Sequence, residues 1–273
     1  MKKIIYSDLD GTLLNYDSKG SHLSKVNADA ISKWIKEENY FSLATGRNLR
    51  SGNKYFFSDM FDFNLPLVLG NGTLVYDHKK DIIIYQDILN SDFVNECINY
   101  AKKNESVKVV FITARNHLVI KNEHNKNMQH SYFTEINETE LVYNDIMKVS
   151  FLVSLETREK VIKDLKGFNN FYKVNLIPSS ATYLEVVNKE TSKYNGILKA
   201  LEYSNIKDYK IYAIGDYLND ISMITKAEIG FAPSNATTEV IESADKVLCH
   251  HNDGAVAEMI EYLLNEDHGN ENN

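Results

Sequence analysis

Two aspartates flank a leucine in Asp8-Leu9-Asp10-Gly11-Thr12, directly after the apolar run Ile4-Ile5-Tyr6. The run reads as a short buried strand and Gly11 as the tight turn that ends it. Strand side chains alternate faces, so Asp8 and Asp10 are expected to point the same way. Two carboxylates at the end of a buried strand repel each other and lose hydration. A divalent cation relieves both problems, and hard oxygen ligands suit Mg²⁺. Once the pair is held, one carboxylate is free to attack and the other to move a proton. The bland alternative is a solvated loop with Asp10-Gly11 as an ordinary turn. The apolar strand before the motif and Thr12-Leu13-Leu14 after it weigh against that.

A second acidic cluster, Gly215-Asp216-Tyr217-Leu218-Asn219-Asp220, follows the apolar run at 210–214. Asp216 belongs at the strand tip and Asp220 on the first turn of the next helix. Both could face the metal proposed for Asp8 and Asp10. Acidic residues at a helix start also simply cap it, but the upstream Asp-x-Asp favours the metal. Thr45-Gly46-Arg47 closes another apolar run, 40–44. A hydroxyl and backbone N–H groups at a helix start make a phosphate-oxygen site as well as an N-cap. Lys193 falls on the first turn of a helix, where the helix dipole disfavours a cation. A functional reason is as good a reading there as an ordinary surface lysine. Asn235 sits in the turn Pro233-Ser234-Asn235-Ala236, and turn chemistry accounts for it equally well.

These residues need a scaffold that brings chain ends together. Strands are expected at 4–6, 40–44 and 67–69, with helices at 24–35 and 48–60 between them. This alternation reads as a parallel sheet with crossover helices. It returns from Thr191, read as a helix cap, with strands at 210–214 and 229–232 and helices at 220–226, 239–244 and 256–264. Open α/β sheets bind ligands beyond the carboxyl ends of their strands, where the three clusters would converge. Between the two halves the pattern changes to a hairpin at 74–85, a helix at 91–103, several meandering strands and a helix at 156–166. The fold class is therefore α/β, a Rossmann-like parallel-sheet core with an inserted α+β cap domain. The core takes 1–82 and 188–265, the cap 83–187, and 266–273 is expected to be a disordered tail.

Composition bounds the partners. The chain has 273 residues, 43% hydrophobic and 25% charged, with a formal net charge of −8. That acidic balance argues against a general nucleic-acid binder, and an anionic substrate would need a locally positive pocket. Cys97 and Cys249 lack metal-ligand spacing and read as small buried hydrophobes. No apolar run approaches a membrane span or a signal peptide, so a cytoplasmic location is expected by default. Oligomeric state is not legible.

Together these residues resemble the haloacid dehalogenase superfamily of phosphohydrolases. Asp8-Leu9-Asp10-Gly11-Thr12 is similar to its first motif, Thr45 to the second, Lys193 to the third, and Gly215-Asp216 with Asn219-Asp220 to the fourth. Ala44-Thr45-Gly46-Arg47, Gly70-Asn71-Gly72, Ser192-Lys193-Tyr194-Asn195-Gly196 and Ala232-Pro233-Ser234-Asn235-Ala236 resemble the Cof-type subfamily. The resemblance implies a phosphatase in which Asp8 becomes aspartyl-phosphate and Asp10 protonates the leaving oxygen, then deprotonates water. It implies Mg²⁺ held by Asp8, Asp10 (through its carbonyl) and Asp216, with Asp220 beside them. It places phosphate contacts at Leu9, Thr45, Gly46, Arg47, Lys193, Asn219 and Asn235. Tyr217 and Leu218 are bulkier than the small residues common at those places, which would narrow the pocket, and Pro233 and Ser234 also depart from the pattern. The substrate implied is a small phosphorylated metabolite, sugar phosphates first. A phosphomutase and a non-catalytic phosphometabolite sensor are the rivals. Arg115, His117 and the stretch 122–130 are candidates for reading the leaving group.

Overall fold

The computed structural model describes residues 1–18, 20–56, 63–104, 107–121 and 133–270, with the main chain alone for 267–270. The first half of the core comprises β1 (Lys2–Ser7), β2 (Leu14–Asp17), β3 (Gly20–Leu23), α1 (Lys25–Lys36), β4 (Tyr40–Leu43), α2 (Leu49–Phe56), β5 (Leu67–Leu69), β6 (Leu74–Asp77) and β7 (Ile82–Gln86). The inserted part comprises α3 (Ser91–Lys103), β8 (Lys108–Ile112), β9 (His117–Ile120), β10 (Thr134–Ile136), β11 (Lys148–Leu152), α4 (Leu155–Lys166), β12 (Val174–Pro178) and β13 (Tyr183–Asn188). The chain then returns through α5 (Lys193–Tyr203), β14 (Tyr209–Ile214), α6 (Ile221–Ile224), β15 (Ile229–Pro233), α7 (Thr238–Ser243), β16 (Lys246–Leu248) and α8 (Ala255–Asn270).

The main sheet has five parallel strands in the order β16-β15-β14-β1-β4. Its central strand β1 is apolar on both faces, as a doubly covered parallel strand must be. Ile5, Phe41, Tyr212 and Phe231 pack with Trp34 of α1 and Met259 of α8. Ile4, Tyr6 and Ala213 pack on the opposite side with Ile197 of α5, Met223 of α6 and Val240 of α7. The register sets the site. Ser7 pairs with Leu43 on one side and Ile214 on the other. Asp8, Thr45 and Asp216 therefore leave the sheet at one edge.

Several expectations need correction. Residues 15–22 are not a plain polar connector: β2 and β3 form a hairpin with Leu14 opposite Leu23. β5 does not extend the sheet as a full strand. It joins through a single bridge, Ala44 to Val68, and pairs antiparallel with β6. β7 pairs with β6, so a core–cap division at 83 would cut a core strand. Ser192, not Thr191, caps α5, accepting from Asn195 N; the Thr191 hydroxyl donates to Asp87 instead. The last helix runs on to Asn270 where a tail was expected from 266. α2 ends at Phe56, and the rest of the helix expected to 60 lies outside the described residues, as does the stretch 122–132. Among the described residues no helix is long and apolar enough to cross a membrane.

The inserted sheet has six strands in the order β10-β9-β8-β11-β13-β12. Its side chains alternate. Val109, Phe111, Val149, Phe151, Leu184 and Val186 pack with α3 and α4 residues such as Phe93 and Val161. The other face presents Val110, Ile112, Lys148, Ser150, Leu152 and Glu185 to a cavity shared with the main-sheet edge. The two connections between the sheets are cross-tied, with the Asn188 amide donating to Asp87 Oδ1 and the Ile88 carbonyl, both at 2.7 Å.

α5 must come close to the loop after β5. Gly72 has φ +97°, and a Cβ there would lie 2.0 Å from the Ser192 carbonyl oxygen. Gly72→Ala is expected to cost about 2–3 kcal/mol through backbone strain and the collision. Urea unfolding reads this, and a loss under about 0.5 kcal/mol would contradict the close packing described.

Candidate active site

The chain leaves β1 at Ser7 and turns sharply, with Gly11 at φ +77°. Asp8 is buried, and its backbone N–H donates to the Ile214 carbonyl at 2.9 Å. Lys193, the first residue of α5, is fully buried. Its Nζ lies 2.5 Å from Asp8 Oδ1 and 2.5 Å from Asp220 Oδ1. Asp220 spends its second oxygen on the backbone N–H groups of Asp216 and Tyr217, both at 3.0 Å. Thr12 Oγ1 donates to Asp216 Oδ1 at 2.9 Å. Residues from opposite ends of the sequence thus form one charged cluster.

Asp8, Asp216 and Asp220 each offer a carboxylate oxygen, all within 4.8 Å of one another. Burial raises Asp8 well above the usual carboxylate range; Lys193 lowers it again, while Asp220, Asp216 and Asp10 add to the rise. Burial, then the charge of Asp220, pushes Asp216 up to about 7. Burial alone would lower Lys193, but Asp220 and Asp8 outweigh it and hold the ammonium raised. Fully ionised, the three carboxylates would outnumber the one ammonium, so the cluster holds protons unless a cation replaces them, and all of its ligand atoms are hard oxygens. A Cβ on Gly11 would lie 2.5 Å from Asp216 Oδ2, so the space beside that carboxylate is kept free of side chain. Such a donor set fits Mg²⁺.

Asp10 takes a different course. β1 has already ended, so the strand alternation no longer applies. Asp10 Oδ1 and Oδ2 accept from Arg47 Nη2 and Nε, both at 2.6 Å, and Tyr16 OH donates to Oδ1 at 3.0 Å. The Asp10 side chain lies outside the three-carboxylate cluster, and only its carbonyl remains as the ligand that the family pattern implies. Arg47, set over the Tyr55 ring at 5.0 Å, aims Asp10.

A cavity of about 770 Å³ opens above the cluster. The core lines it with Asp8, Asp10, Thr45, Gly46, Arg47, Asp216 and Asn219, and Tyr217 also reaches it. Thr45 is buried, and its hydroxyl accepts from Arg47 N at 3.3 Å. The remaining expected residues fall elsewhere. The Leu9 side chain is core. The Asn235 amide donates to the Gly11 carbonyl at 2.8 Å, and its oxygen accepts from His251 N at 3.0 Å. Asn235 thus holds the Asp10–Gly11 turn in place. Leu218 does not line the cavity, and Arg115 pairs with Asp81 at 3.2 Å away from it. His117 does line it, with burial foremost lowering its pKa to about 4.

Lys148 and Glu185 were not singled out from sequence. Lys148 Nζ lies 2.6 Å from Glu185 Oε1 and donates to the Gly46 carbonyl at 2.9 Å. Glu185 Oε2 accepts from Asn71 Nδ2 at 2.5 Å, and Asn71 Oδ1 accepts from Asn219 Nδ2 at 3.0 Å. The available signal was a charge alternating with apolar residues in Lys148-Val149-Ser150-Phe151 and Tyr183-Leu184-Glu185-Val186.

Comparison with known proteins is consistent across the chain. Residues 5–260 match the model of the haloacid dehalogenase-like hydrolases. The chain is 26% identical over 269 residues to the chloroplastic endoribonuclease YBEY of Arabidopsis thaliana, covering 94% of this chain but 45% of that protein. It is 25% identical over 267 residues to the 5-amino-6-(5-phospho-D-ribitylamino)uracil phosphatase YcsE of Bacillus subtilis, covering 96% of each. Among solved structures, a Plasmodium vivax protein described as a HAD/COF-like hydrolase superposes with a TM-score of 0.81 at 26% identity, over 97% of this chain and 96% of that one.

The raised carboxyl of Asp216 has a consequence for stability. Between the ordinary value of 3.8 and about 7 the folded state binds more protons at Asp216 than the unfolded state does. Stability therefore falls as pH rises through that window, and a cation that replaces the proton restores it. Mg²⁺ is expected to raise the thermal midpoint more at pH 8 than at pH 5. An equal or smaller gain at pH 8 would contradict the charge balance described.

Proposed function

The chain belongs to the haloacid dehalogenase-like hydrolases of the Cof type and is a phosphatase, and we propose that it hydrolyses a small sugar phosphate through an aspartyl-phosphate on Asp8, with Mg²⁺ as cofactor. The observation that carries this is the buried Asp8–Lys193–Asp220 cluster, whose Asp8 lines, together with Asp216, a cavity that also holds Thr45 and Asp10.

A phosphomonoester carries close to two negative charges, so a bare carboxylate repels it. Lys193 offsets the Asp8 charge where an oxygen of Asp8 must approach phosphorus. Asp220 fixes the ammonium in turn. The Thr45 hydroxyl and the backbone of Gly46 and Arg47 stand where phosphate oxygens would lie, and Asn219 is set by Asn71. Asp10, aimed by Arg47 and Tyr16, is the group positioned to protonate the departing sugar oxygen and then to take the proton from water. Two displacements at Asp8 give each step a usable nucleophile. Asp8 and Asp216, with Asp220 beside them and the Asp10 carbonyl, would hold Mg²⁺, which supplies charge neutralisation at the phosphoryl oxygens. The inserted sheet covers the cavity and sets Ser150, Ser179, Ser180 and Tyr183 against the leaving group. Hydroxyls in a partly apolar wall suit a polyol, and the YcsE name likewise describes a phosphate on a ribityl chain.

Phosphate release from a panel of sugar phosphates tests this. Turnover is expected with Mg²⁺ and without a bisphosphate activator, to stop with excess EDTA, and to fall at least about a thousandfold in Asp8→Asn. Turnover within tenfold of wild type in a folded Asp8→Asn protein would overturn the mechanism.

A further inference from the structure

We propose that Lys148 and Glu185 make the cavity selective for phosphomonoesters whose leaving group carries no second charge. The inference rests on the phosphatase reading of the cavity floor and adds what the cavity roof selects.

The cavity, about 770 Å³, is far larger than a phosphate, so its upper part encloses the leaving group. The charges there are already committed. Among the described lining residues the basic groups are Arg47, His117 and Lys148. Arg47 gives two hydrogen bonds to Asp10. His117 is neutral near pH 7, because burial and then the charges of Lys148 and Arg50 hold it down to about 4. Lys148 is bound to Glu185 at 2.6 Å, with side-chain exposures of 3% and 8%.

Glu185 is held as firmly. Oε1 accepts from Lys148 and from Ser150 Oγ at 3.1 Å, and Oε2 accepts from Asn71 at 2.5 Å. Moving Lys148 to a substrate anion would strand a buried carboxylate, which is strongly unfavourable. A carboxylate or second phosphate on the leaving group therefore finds no uncommitted cation among the described lining residues and meets the Glu185 charge. Neutral hydroxyls find Ser150, Ser180 and Tyr183. The pair is also poorly explained as a source of stability. A buried ion pair contributes little compared with apolar residues of the same size. This one sits on the cavity face rather than on the face packed against the helices.

The test uses the full chain with Mg²⁺ and two matched substrate pairs. Sorbitol 6-phosphate and 6-phosphogluconate differ in a terminal hydroxymethyl against a carboxylate. Glucose 6-phosphate and glucose 1,6-bisphosphate differ in a second phosphate. In the wild type kcat/KM is expected to favour the singly charged member of each pair by at least about tenfold. Glu185→Gln releases Lys148 from its partner, and that preference is expected to shrink to about a third or less of its wild-type value. Wild-type ratios below about threefold in both pairs overturn the filter, and this comparison needs no variant to fold. An unchanged ratio in a folded Glu185→Gln protein overturns it too. p-Nitrophenyl phosphate separates the two levels. Its turnover alongside equal rates on the matched pairs overturns the filter alone, whereas no turnover of any ester overturns the phosphatase reading and the filter with it.

Discussion

A fully buried ammonium between two carboxylates is the interaction on which the rest depends. Lys193 sits at the first position of α5, where the helix dipole opposes a positive charge and burial removes hydration. Asp8 and Asp220 make that position tolerable, one from the end of β1 and the other from the turn between β14 and α6. The parallel register of β1 against β14 delivers the two carboxylates to the same edge. The close approach of Gly72 to Ser192 delivers the lysine. The charged cluster and the packing of the core are therefore one problem solved once.

The inserted part is joined to the loop at 45–48 as well as covering the cluster. Asn48 Nδ2 donates to the Thr113 carbonyl at 2.9 Å, and Leu49 N donates to the Ala114 carbonyl at 3.1 Å. Lys148 reaches down to the Gly46 carbonyl. The loop that carries Thr45, Gly46 and Arg47 is thus bonded to three places on the inserted part. Its geometry, and with it the aim of Arg47 on Asp10, depends on where the cap lies. In the proposed reaction, leaving-group recognition and proton transfer would share this connection.

Much of this was legible in the chain because the decisive signals are local. An apolar strand followed at once by Asp8-Leu9-Asp10-Gly11, and another followed by Gly215-Asp216, announces carboxylates at strand tips. Parallel topology then brings them together. What failed was the assumption that a strand continues. Asp10 was placed beside Asp8 by alternation, but β1 stops at Ser7, and Arg47 decides where the side chain points. The β2–β3 hairpin was missed because its residues are mostly polar, and β16 because three residues give no periodicity. Asn235 looked like a ligand or a turn, and its two amide ends serve the main chain around the motif. Lys148 and Glu185 lie 37 positions apart on neighbouring antiparallel strands. Their pairing depends on register, which no local pattern encodes.

The proposed chemistry requires carboxylates from the beginning and the end of the chain to share one cation beside Lys193. Crystals soaked in Mn²⁺, with anomalous difference density recorded near the manganese edge, test it most directly. One strong peak is expected within coordination distance of both Asp8 and Asp216. A peak that touches neither carboxylate, or no peak at millimolar Mn²⁺ in a well-ordered crystal, would contradict it.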